Sequence, residues 1–342
     1  MTKARNNTID LLRLIGAFAV ICLHNFSGSN VAWAEEVVAL ARFAVPLFFV
    51  FSGYFSVGFT ARRKWMQAAK LFLLAVFSNL AYLGVDLSRQ VSAQAAQHRL
   101  RELFSAGRVW DFLLFNESPI SGHLWFLGAL LYCVLLDILF SAAAQKLPYK
   151  KAALGALSAL LLLGGLALYH TLAPRPAAGF QLYHYRNFLL LGLPFYLLGK
   201  LLKICSPLRP LPGWAYWVLI PGCCALALGE FKALGVWELY LGAALLALVL
   251  AHLAACHPLA APNKPVAALA WLGRYASLPV YIVHIYFLDL IRGAYYAYLP
   301  WQREFGLYHM LALFTFLVSL AAGAAVGAVV WFFQSRRKKA GT

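Results

Sequence analysis

Apolar segments long enough to cross a lipid bilayer recur along the whole of this chain, separated by short polar gaps. A helix crosses the bilayer core with roughly 20 apolar residues, and about ten such segments are present. They are residues 9–28, 37–57, 68–87, 123–141, 152–172, 187–203, 214–230, 236–256, 277–298 and 307–333. Charged residues make up 12% of the sequence, whereas soluble domains contain about 25%. The sequence therefore predicts an all-α integral membrane protein with about ten transmembrane helices.

The lysine and arginine residues are distributed unevenly between the two sides of the predicted membrane. If the N-terminus is cytoplasmic, 18 of the 29 fall on the cytoplasmic side, and no cytoplasmic loop contains Asp or Glu. Because basic residues favour that side, we predict that both termini are cytoplasmic. The net charge of +17 then favours contact with anionic membrane lipid, and nucleic acid is not an expected partner. We predict one polytopic domain over 1–335, an extracytoplasmic loop at 88–122 and a basic cytoplasmic tail at 336–342.

The N-terminus also has features of a cleavable secretory signal. It combines a basic start, an apolar run and an A-x-A site at Ala32-Trp33-Ala34. Asp10 and Arg13 interrupt that run, whereas a signal has uninterrupted apolar residues there. We therefore interpret the segment as a retained first helix.

The segment RLIGAFAVICLH, from Arg13 to His24, places two ionisable residues at the ends of an apolar run. At about 100° per residue, eleven steps return to within roughly 20° of the start, so both side chains share one helix face about 16 Å apart. Asp10 lies one turn before Arg13, and the small side chains of Ala17 and Val20 lie between the two ends. Ionisable residues inside a membrane usually mark a pathway or a site. The alternatives are an Arg13–Asp10 pair at the cytoplasmic headgroups and a His24 that caps the outer interface.

The second predicted span contains ARFAVPLFFVFSGYF. Arg42 enters from the outer side at about the depth of His24, and Pro46 is placed to bend the helix. Ser52 and Gly53 follow near the cytoplasmic end, where the glycine allows a close approach. Each feature taken alone is common in membrane helices.

Taken together, these motifs resemble the integral-membrane acyltransferases of the acyltransferase 3 family. The resemblance rests on NTIDLLRLIGAFAVICLH and VPLFFVFSGYF, and on HLWFL at His123–Leu127. It continues in RNFLLLGLPFYLLG at Arg186–Gly199 and in SLPVYIVHIYFL with Ser277, Tyr281 and His284. It thus covers nearly the whole chain, and the five motifs occur in order.

The resemblance implies a membrane enzyme that takes an acyl group, in particular acetyl, from cytosolic acyl-coenzyme A. It implies transfer to a hydroxyl of a cell-surface carbohydrate or lipid-linked glycan at the outer face of a bacterial cytoplasmic (inner) membrane. The family's basic residue and histidine map onto Arg13 and His24. Similar members include glycan O-acetyltransferases and the membrane half of glycopeptide-resistance serine racemases. Since this sequence ends at Thr342, we expect a stand-alone acyltransferase domain; no oligomeric state is predicted.

Acylation of a hydroxyl by a thioester needs a base and a group that stabilises the tetrahedral oxyanion. A histidine suits the first task, either directly or as a transient acyl carrier. An arginine suits phosphate recognition. We therefore predict His24, Arg13 and Asp10 as catalytic residues, and Arg13, Ser52 and Gly53 as contacts of the coenzyme, whose arm would pass along Ala17 and Val20.

A second group of residues is predicted to line a pocket for the acceptor. The predicted acceptor pocket comprises Arg42, His123, Trp125, Arg186, Tyr281 and His284. For His123, Trp125 and Arg186 the alternative is an anchoring role in the aromatic belt at the membrane interface. Asp289 and Arg292, three residues apart, are placed to form a pair on one helix.

A proton-coupled transporter or exporter of a small polar solute is the alternative function. Such carriers also place His, Arg and Asp inside the membrane, and their folds often contain internal repeats. The two halves of this sequence show no repeat, because the R-x10-H and FFVFSGY segments occur once each. The six cysteines show no metal-ligand spacing, and no metal is predicted.

Overall fold

The computed structural model describes residues 6–27, 33–146, 150–173, 180–259, 263–298 and 307–340, and the regular elements in these ranges are all helical. The fourteen α-helices of the described chain are α1 (Asn7–Phe26), α2 (Ala34–Ala41), α3 (Ala44–Ser56), α4 (Ala61–Ser88), α5 (Ala93–Leu103), α6 (Ala106–Phe115), α7 (Trp125–Lys146), α8 (Lys150–Leu172), α9 (Leu193–Ile204), α10 (Gly213–Leu234), α11 (Leu241–Cys256), α12 (Lys264–Tyr275), α13 (Ser277–Tyr298) and α14 (Leu307–Ala340). Short 3₁₀ turns lie at Gly122–Leu124 and Leu182–His184, and a π-helical segment at Phe188–Gly192 leads into α9.

Seven helical segments of the described chain are long and apolar enough to cross a bilayer, and an eighth is reached if α12 and α13, bent by 71°, form one span. The predicted all-helical membrane class is confirmed. The predicted count of about ten also included 187–203 and 236–256, which are shorter as helices. Helix α11 has only 16 residues, because Gly235 at φ +80° ends α10 and the chain becomes helical again at Leu241.

The chain divides into two compact units, and the division falls within α3. The first unit comprises Met1–Phe48 and Pro207–Thr342, and the second comprises Phe49–Ser206. The N-terminal helices of the first unit therefore fold together with the C-terminal helices. Each unit has its own set of packed helices and its own polar residues, described in turn below.

Helix α1 packs against α2, α12, α13 and α14 in the first unit. Asn6 caps its start, because the side-chain oxygen accepts a hydrogen bond from the backbone N–H of Ile9 at 3.3 Å. The side-chain amide of Asn6 also donates to the carbonyl of Ala254 at 2.5 Å, at the end of α11. On α12, a Cβ at Gly273 would collide with the backbone carbonyl of Asp10. The glycine therefore lets the backbones of α1 and α12 come into contact.

Helices α2 and α3 are separated by a break at Arg42 and Phe43. Pro46 explains this break, because a proline ring clashes with the carbonyl four residues earlier and cannot donate to it. That carbonyl belongs to Arg42. The bend predicted at Pro46 therefore occurs as a break at the preceding turn, where Arg42 lies.

In the second unit, α4 packs on α7, and α8 packs on α9. The predicted loop at 88–122 contains two helices, α5 and α6. Helix α6 buries none of its residues, and its large apolar side chains are exposed, Trp110 by 60%, Leu113 by 47% and Leu114 by 56%. Its last residue, Phe115, contacts the ring of His184 at 4.8 Å between centroids. The segment between α4 and α7 therefore contains two helices, of which α6 exposes an apolar face.

Candidate functional site

Asp10 and Arg13 form an ion pair at the N-terminal end of α1. The guanidinium Nη1 of Arg13 lies 3.3 Å from Oδ1 of Asp10, and the two side chains are 26% and 7% exposed. Because Arg13 keeps about a quarter of its surface open, the pair remains accessible from one side. The proximity expected from the helix spacing is therefore present.

The stretch of α1 between Arg13 and His24 is covered by neighbouring helices. Ala17 is 2% exposed and Val20 is 3% exposed, and a Cβ at Gly16 would lie 3.1 Å from Cζ of Phe48. The small side chains therefore serve close packing. A coenzyme arm that follows this stripe requires the covering side chains to move.

His24, at the other end of α1, lies beside a second histidine from α13. The ring centroids of His24 and His284 are 5.1 Å apart, with an angle of 48° between the ring planes. His284 is fully buried, and the ring of Tyr281, one turn earlier, is centred 6.1 Å from it. The structure thus brings together three residues predicted from two distant motifs, His24 as catalytic and Tyr281 and His284 as acceptor contacts.

The imidazole of His284 is oriented by the backbone of its own helix. Its Nδ1 lies 2.6 Å from the carbonyl oxygen of Tyr281 and 3.2 Å from that of Val280. Since a carbonyl oxygen only accepts hydrogen bonds, Nδ1 must carry the proton. In the neutral ring, Nε2 then carries the lone pair.

Arg292, further along α13, holds the C-terminal end of α1. Its Nη2 donates to the carbonyl of Asn25 at 2.7 Å and to the carbonyl of His24 at 3.1 Å. A cation at a helix C-terminus satisfies carbonyls that have no partner in the helix and interacts favourably with the dipole. The sequence pairs Arg292 with Asp289 on one helix and gives no indication of this contact with α1.

Arg42 is engaged in a buried ion pair within the first unit. Its Nη1 lies 2.7 Å from Oε2 of Glu238, and the two side chains are 14% and 9% exposed. The Nε of Arg42 is also buried and has no hydrogen-bond partner among the described residues. The Nη1 group is therefore bound by Glu238, whereas the buried Nε keeps a donor that no described residue satisfies.

Ser52 and Gly53 lie in the second unit, where α3 meets α9. A Cβ at Gly53 would collide with the backbone of Tyr196, and a Cβ at Gly199 would collide with the carbonyl of Val50. The two glycines therefore let the two helix backbones approach each other. The close approach expected at Gly53 occurs, but it is an approach to a helix. The prediction that Ser52 and Gly53 contact the coenzyme stays a prediction.

His123, Trp125 and Arg186 are close together in the second unit. His123 is 6% exposed, and its Nδ1 lies 2.8 Å from Oγ of Ser121. The guanidinium carbon of Arg186 lies 5.7 Å from the centre of the Trp125 ring, which is a cation–π contact. The Nη2 atom of Arg186 also lies 3.6 Å from Oε2 of Glu117. The Nε of Arg186 is buried and has no hydrogen-bond partner in the part of the chain that the structure describes.

The loop before α7 supports this group. Asn116 has φ +55°, a left-handed conformation that asparagine tolerates. Its side-chain amide donates to the carbonyl of Trp125 at 3.1 Å, and its oxygen accepts from the backbone N–H of Phe188 at 2.7 Å. Burial raises the pKa of the neighbouring Glu117 carboxyl above its usual value, and the charge of Arg186 opposes that rise.

A buried ion cluster that the sequence analysis did not single out links α4, α7 and α9. Asp137 lies 2.8 Å from Nζ of Lys64 through Oδ2 and contacts Nζ of Lys200 through Oδ1. The hydroxyl of Tyr196 donates to Oδ2 of Asp137 at 3.2 Å. The exposed fractions of the three charged side chains lie between 5% and 15%. Among the described residues, no group of three or more His, Cys, Asp or Glu side chains is placed to hold a metal ion.

Comparison with known proteins identifies the family. A family model described as an acyltransferase domain, that of the acyltransferase 3 family, matches residues 6–330. The chain belongs to the acyltransferase 3 family. Membership of this family and the apolar helices of the described chain support a multi-pass membrane protein. The short and long motifs of the sequence therefore indicated the correct family.

One curated relative is similar over a short segment. An amino-acid racemase from Enterococcus faecalis is 42% identical over 59 residues, which is 16% of this chain and 8% of the relative. The chain thus covers less than a tenth of that protein's length. No solved structure matches.

Proposed function

We propose that this protein transfers an acyl group, acetyl in the first instance, from cytosolic acyl-coenzyme A to a hydroxyl of a cell-surface carbohydrate or lipid-linked glycan. The observation that carries the proposal is the juxtaposition of His24 and His284 on packed helices of a chain that belongs to an acyltransferase family. The family favours this function over the alternative of a proton-coupled transporter.

In the proposed reaction, His24 acts as the general base. It takes the proton of the acceptor hydroxyl while the hydroxyl oxygen attacks the thioester carbonyl. The tetrahedral intermediate then collapses, the carbon–sulfur bond breaks, and the protonated imidazole returns the proton to the departing thiolate. A variant of this route has His24 carry the acyl group for a moment. Both routes give an ester and free coenzyme A.

The donor is proposed to bind through the partly exposed end of α1. The side chain of Arg13 is 26% exposed, and its planar guanidinium suits the phosphates of a coenzyme. Asp10 holds this guanidinium in place through the ion pair. Ser52 and Gly53 in the second unit remain proposed donor contacts, and no metal is part of the proposal.

The acceptor is proposed to bind through arginine and aromatic side chains. Arg42 and Arg186 each present a buried Nε donor that has no partner among the described residues, and such donors match the oxygens of a sugar. The Trp125 ring offers an apolar face beside Arg186, and His123 lies two residues before it. In the first unit, Tyr281 and His284 adjoin His24.

We place the protein in a bacterial cytoplasmic (inner) membrane with both termini in the cytoplasm. The excess of basic residues on one side supports this orientation. It puts Arg13 toward the cytosolic donor and His24 toward the outer acceptor. The same basic face would attract anionic lipid.

The test is release of free coenzyme A from acetyl-coenzyme A by purified full-length protein in lipid nanodiscs, with and without a panel of soluble glycans. Free coenzyme is measured by chromatography, because Cys205, Cys224 and Cys256 are only partly buried and would react with a thiol reagent. We expect His24→Ala to lower turnover by about 10²- to 10⁴-fold, the usual contribution of a general base.

The matched control is His98→Ala, since His98 is an exposed histidine on α5. It should leave turnover unchanged. Equal turnover in the wild type and His24→Ala would contradict the role of His24. Propionyl- and palmitoyl-coenzyme A in the same assay define the acyl group.

A further inference from the structure

Two fully buried hydroxyl groups on α14 have no role in the proposed reaction. Thr315 and Ser319 are each 0% exposed, and neither Oγ1 of Thr315 nor Oγ of Ser319 has a hydrogen-bond partner among the described residues. We propose that these two hydroxyls together bind one ordered water molecule in the interior of the first unit. The inference goes beyond the proposed function and does not depend on it, since it requires neither a coenzyme nor an acceptor.

The first support is that hydroxyls on other helical turns bond to their own backbone. A buried hydroxyl without a hydrogen bond is costly, and on a helix its nearest acceptors are the carbonyls three and four residues earlier. Five helical hydroxyls of the described chain donate to such a carbonyl, those of Ser56, Ser88, Ser158, Thr171 and Ser335. Thr315 and Ser319 do not, although Ser335 lies on the same helix. These two hydroxyls therefore require a different partner.

The second support is the spacing of the two residues. Positions four residues apart lie on the same face of a helix, with about 5–6 Å between their Cβ atoms. A water molecule that bonds to two hydroxyl oxygens at about 2.8 Å each spans a similar separation. A hydroxyl both donates and accepts, and a buried water usually has about two to four polar partners. One water molecule therefore satisfies both side chains.

The third support is the position of the pair within the packed helices. Helix α14 packs against α1 and α13. A Cβ at Gly323, one turn after Ser319, would lie 3.2 Å from Cγ2 of Val280, and one at Gly327 would lie 2.8 Å from Cβ of Tyr275. Because later residues of α14 contact earlier residues of the chain, α14 runs antiparallel to α13. The two hydroxyls are therefore level with the turns of α13 that follow Val280.

The surroundings of the pair favour water over other ligands. The ring of Phe316, next to Thr315 in sequence, is centred 5.1 Å from that of Phe18 on α1, so the site lies at the junction of α1, α13 and α14. Both hydroxyl-bearing side chains are fully buried, so a larger ligand would have to separate these helices. A cation such as Ca²⁺ takes about six to eight oxygen ligands, whereas this face offers two. The water gives the junction a hydrated position at about the depth of His284.

The direct test is a structure of the full-length protein in lipid at a resolution that shows ordered water. We expect density for one water molecule at about 2.5–3.0 Å from both hydroxyl oxygens. The density should remain in Thr315→Ser, which keeps a hydroxyl, and disappear in Thr315→Val, which has a similar shape without one. If Thr315→Val does not fold, Ser319→Ala provides the same comparison. A wild-type map that resolves other internal waters and has no density here would overturn the proposal, as would density that persists in Thr315→Val.

Thermal unfolding in detergent gives an independent test through a double-mutant cycle. We expect Thr315→Val and Ser319→Ala each to lower the unfolding temperature by about 2–4 °C, the shift for loss of one hydrogen-bonded group in a domain of this size. The double variant should fall no further than the larger single effect, because one water serves both hydroxyls. The matched control is Ser158→Ala, whose equally buried hydroxyl bonds within its own helix and whose removal should change little.

Two outcomes of the cycle would overturn the inference. Single variants with an unchanged or raised unfolding temperature would show that the hydroxyls are buried without any partner, since removal of an unpaired polar group is neutral or stabilising. Additive falls in the double variant would show two separate partners in place of one shared water. Neither result depends on turnover of acyl-coenzyme A, so failure of this inference is distinguished from failure of the proposed function.

Discussion

Replacement of Asp137 by asparagine should destabilise the second unit strongly, because it leaves two lysines without their shared counter-ion. At an effective dielectric constant of about 20, a pair at the 2.8 Å separation of Asp137 and Lys64 has an attraction of about 6 kcal/mol, before desolvation is subtracted. Lys200 is bound to the same carboxylate, and Tyr196 donates to it. Removing one partner of a buried ion pair typically costs about 3–5 kcal/mol, and we expect a loss in that range.

The assay uses a cysteine that the structure buries beside the cluster. Cys133 is fully buried on α7, one turn before Asp137, so a variant that retains only this cysteine reports unfolding when a thiol-reactive fluorophore labels it. A loss of about 3–5 kcal/mol corresponds to a fall of about 6–20 °C in the labelling temperature for a domain of 150–250 residues. The matched control is Glu36→Gln in a variant that retains only the buried Cys22, whose labelling temperature is measured in the same way. Glu36 pairs with Lys232 at 3.7 Å, and these side chains are 40% and 69% exposed. An exposed pair contributes about 0–1 kcal/mol, so the control should change little.

The result that would refute this reasoning is an Asp137→Asn variant in which Cys133 is labelled at the wild-type temperature. A triple substitution separates charge from packing. Asp137→Leu combined with Lys64→Met and Lys200→Met removes all three charges, and it should recover most of the lost stability, because apolar replacement of a buried ion cluster is often neutral. A triple variant as unstable as Asp137→Asn would show that the cluster is held by something other than charge pairing.

Three further substitutions test other parts of the structure. Gly273→Ala should destabilise the packing of α12 against Asp10 on α1 by several kcal/mol, as overpacking does. The control Gly84→Ala, which has open space at its Cβ, should have little effect, and the two unfolding temperatures are compared in detergent. Glu117→Gln should stabilise the protein relative to the wild type, and increasingly so as pH rises from about 4 to 8. The reason is that a carboxyl whose pKa is raised in the folded state contributes stability below its unfolded pKa and loses that contribution as pH rises. Equal pH profiles of the unfolding temperature in the wild type and the variant would contradict this. A spin label at Leu113 should be more accessible to oxygen than to a water-soluble nickel complex in lipid bilayers, because the exposed apolar face of α6 fits the membrane interface; the reverse ratio would exclude membrane contact.

The helical class and most segments could be predicted from the sequence, because apolar runs of sufficient length are a local property. The predicted segments 68–87, 123–141 and 152–172 correspond closely to α4, α7 and α8. Helix α12 was not predicted, although a signal for it exists. Asn263 caps its N-terminus and Pro265 lies in its first turn, a combination that marks helix starts. A criterion based on apolar runs of spanning length does not detect this segment, because its composition is less apolar than that of the neighbouring spans.

The candidate site could be predicted only in part, because spacing on one helix is local and contact between distant helices is not. The Arg13–Asp10 pair follows from a separation of three residues on a helix. The neighbours of His24 do not, since His284 and Arg292 come from a helix near the other end of the chain. In particular, every residue has a backbone carbonyl, so the sequence does not indicate which carbonyls a side chain contacts. The contact of Arg292 with the end of α1 could therefore not be predicted from residue types.

Asp137 shows which part of such a contact the sequence does contain. An acidic residue within an apolar span is costly in a membrane unless it is paired, so its presence alone implies a basic partner. The identity of that partner depends on which helices are neighbours, and here the partners are Lys64 from α4 and Lys200 from α9. Both lysines are located near the ends of predicted spans, where their long side chains reach into the protein. The sequence therefore predicts that Asp137 pairs with basic residues near the ends of predicted spans, and it gives several candidates for these partners. The packing of α4, α7 and α9 decides which of the candidates form the cluster.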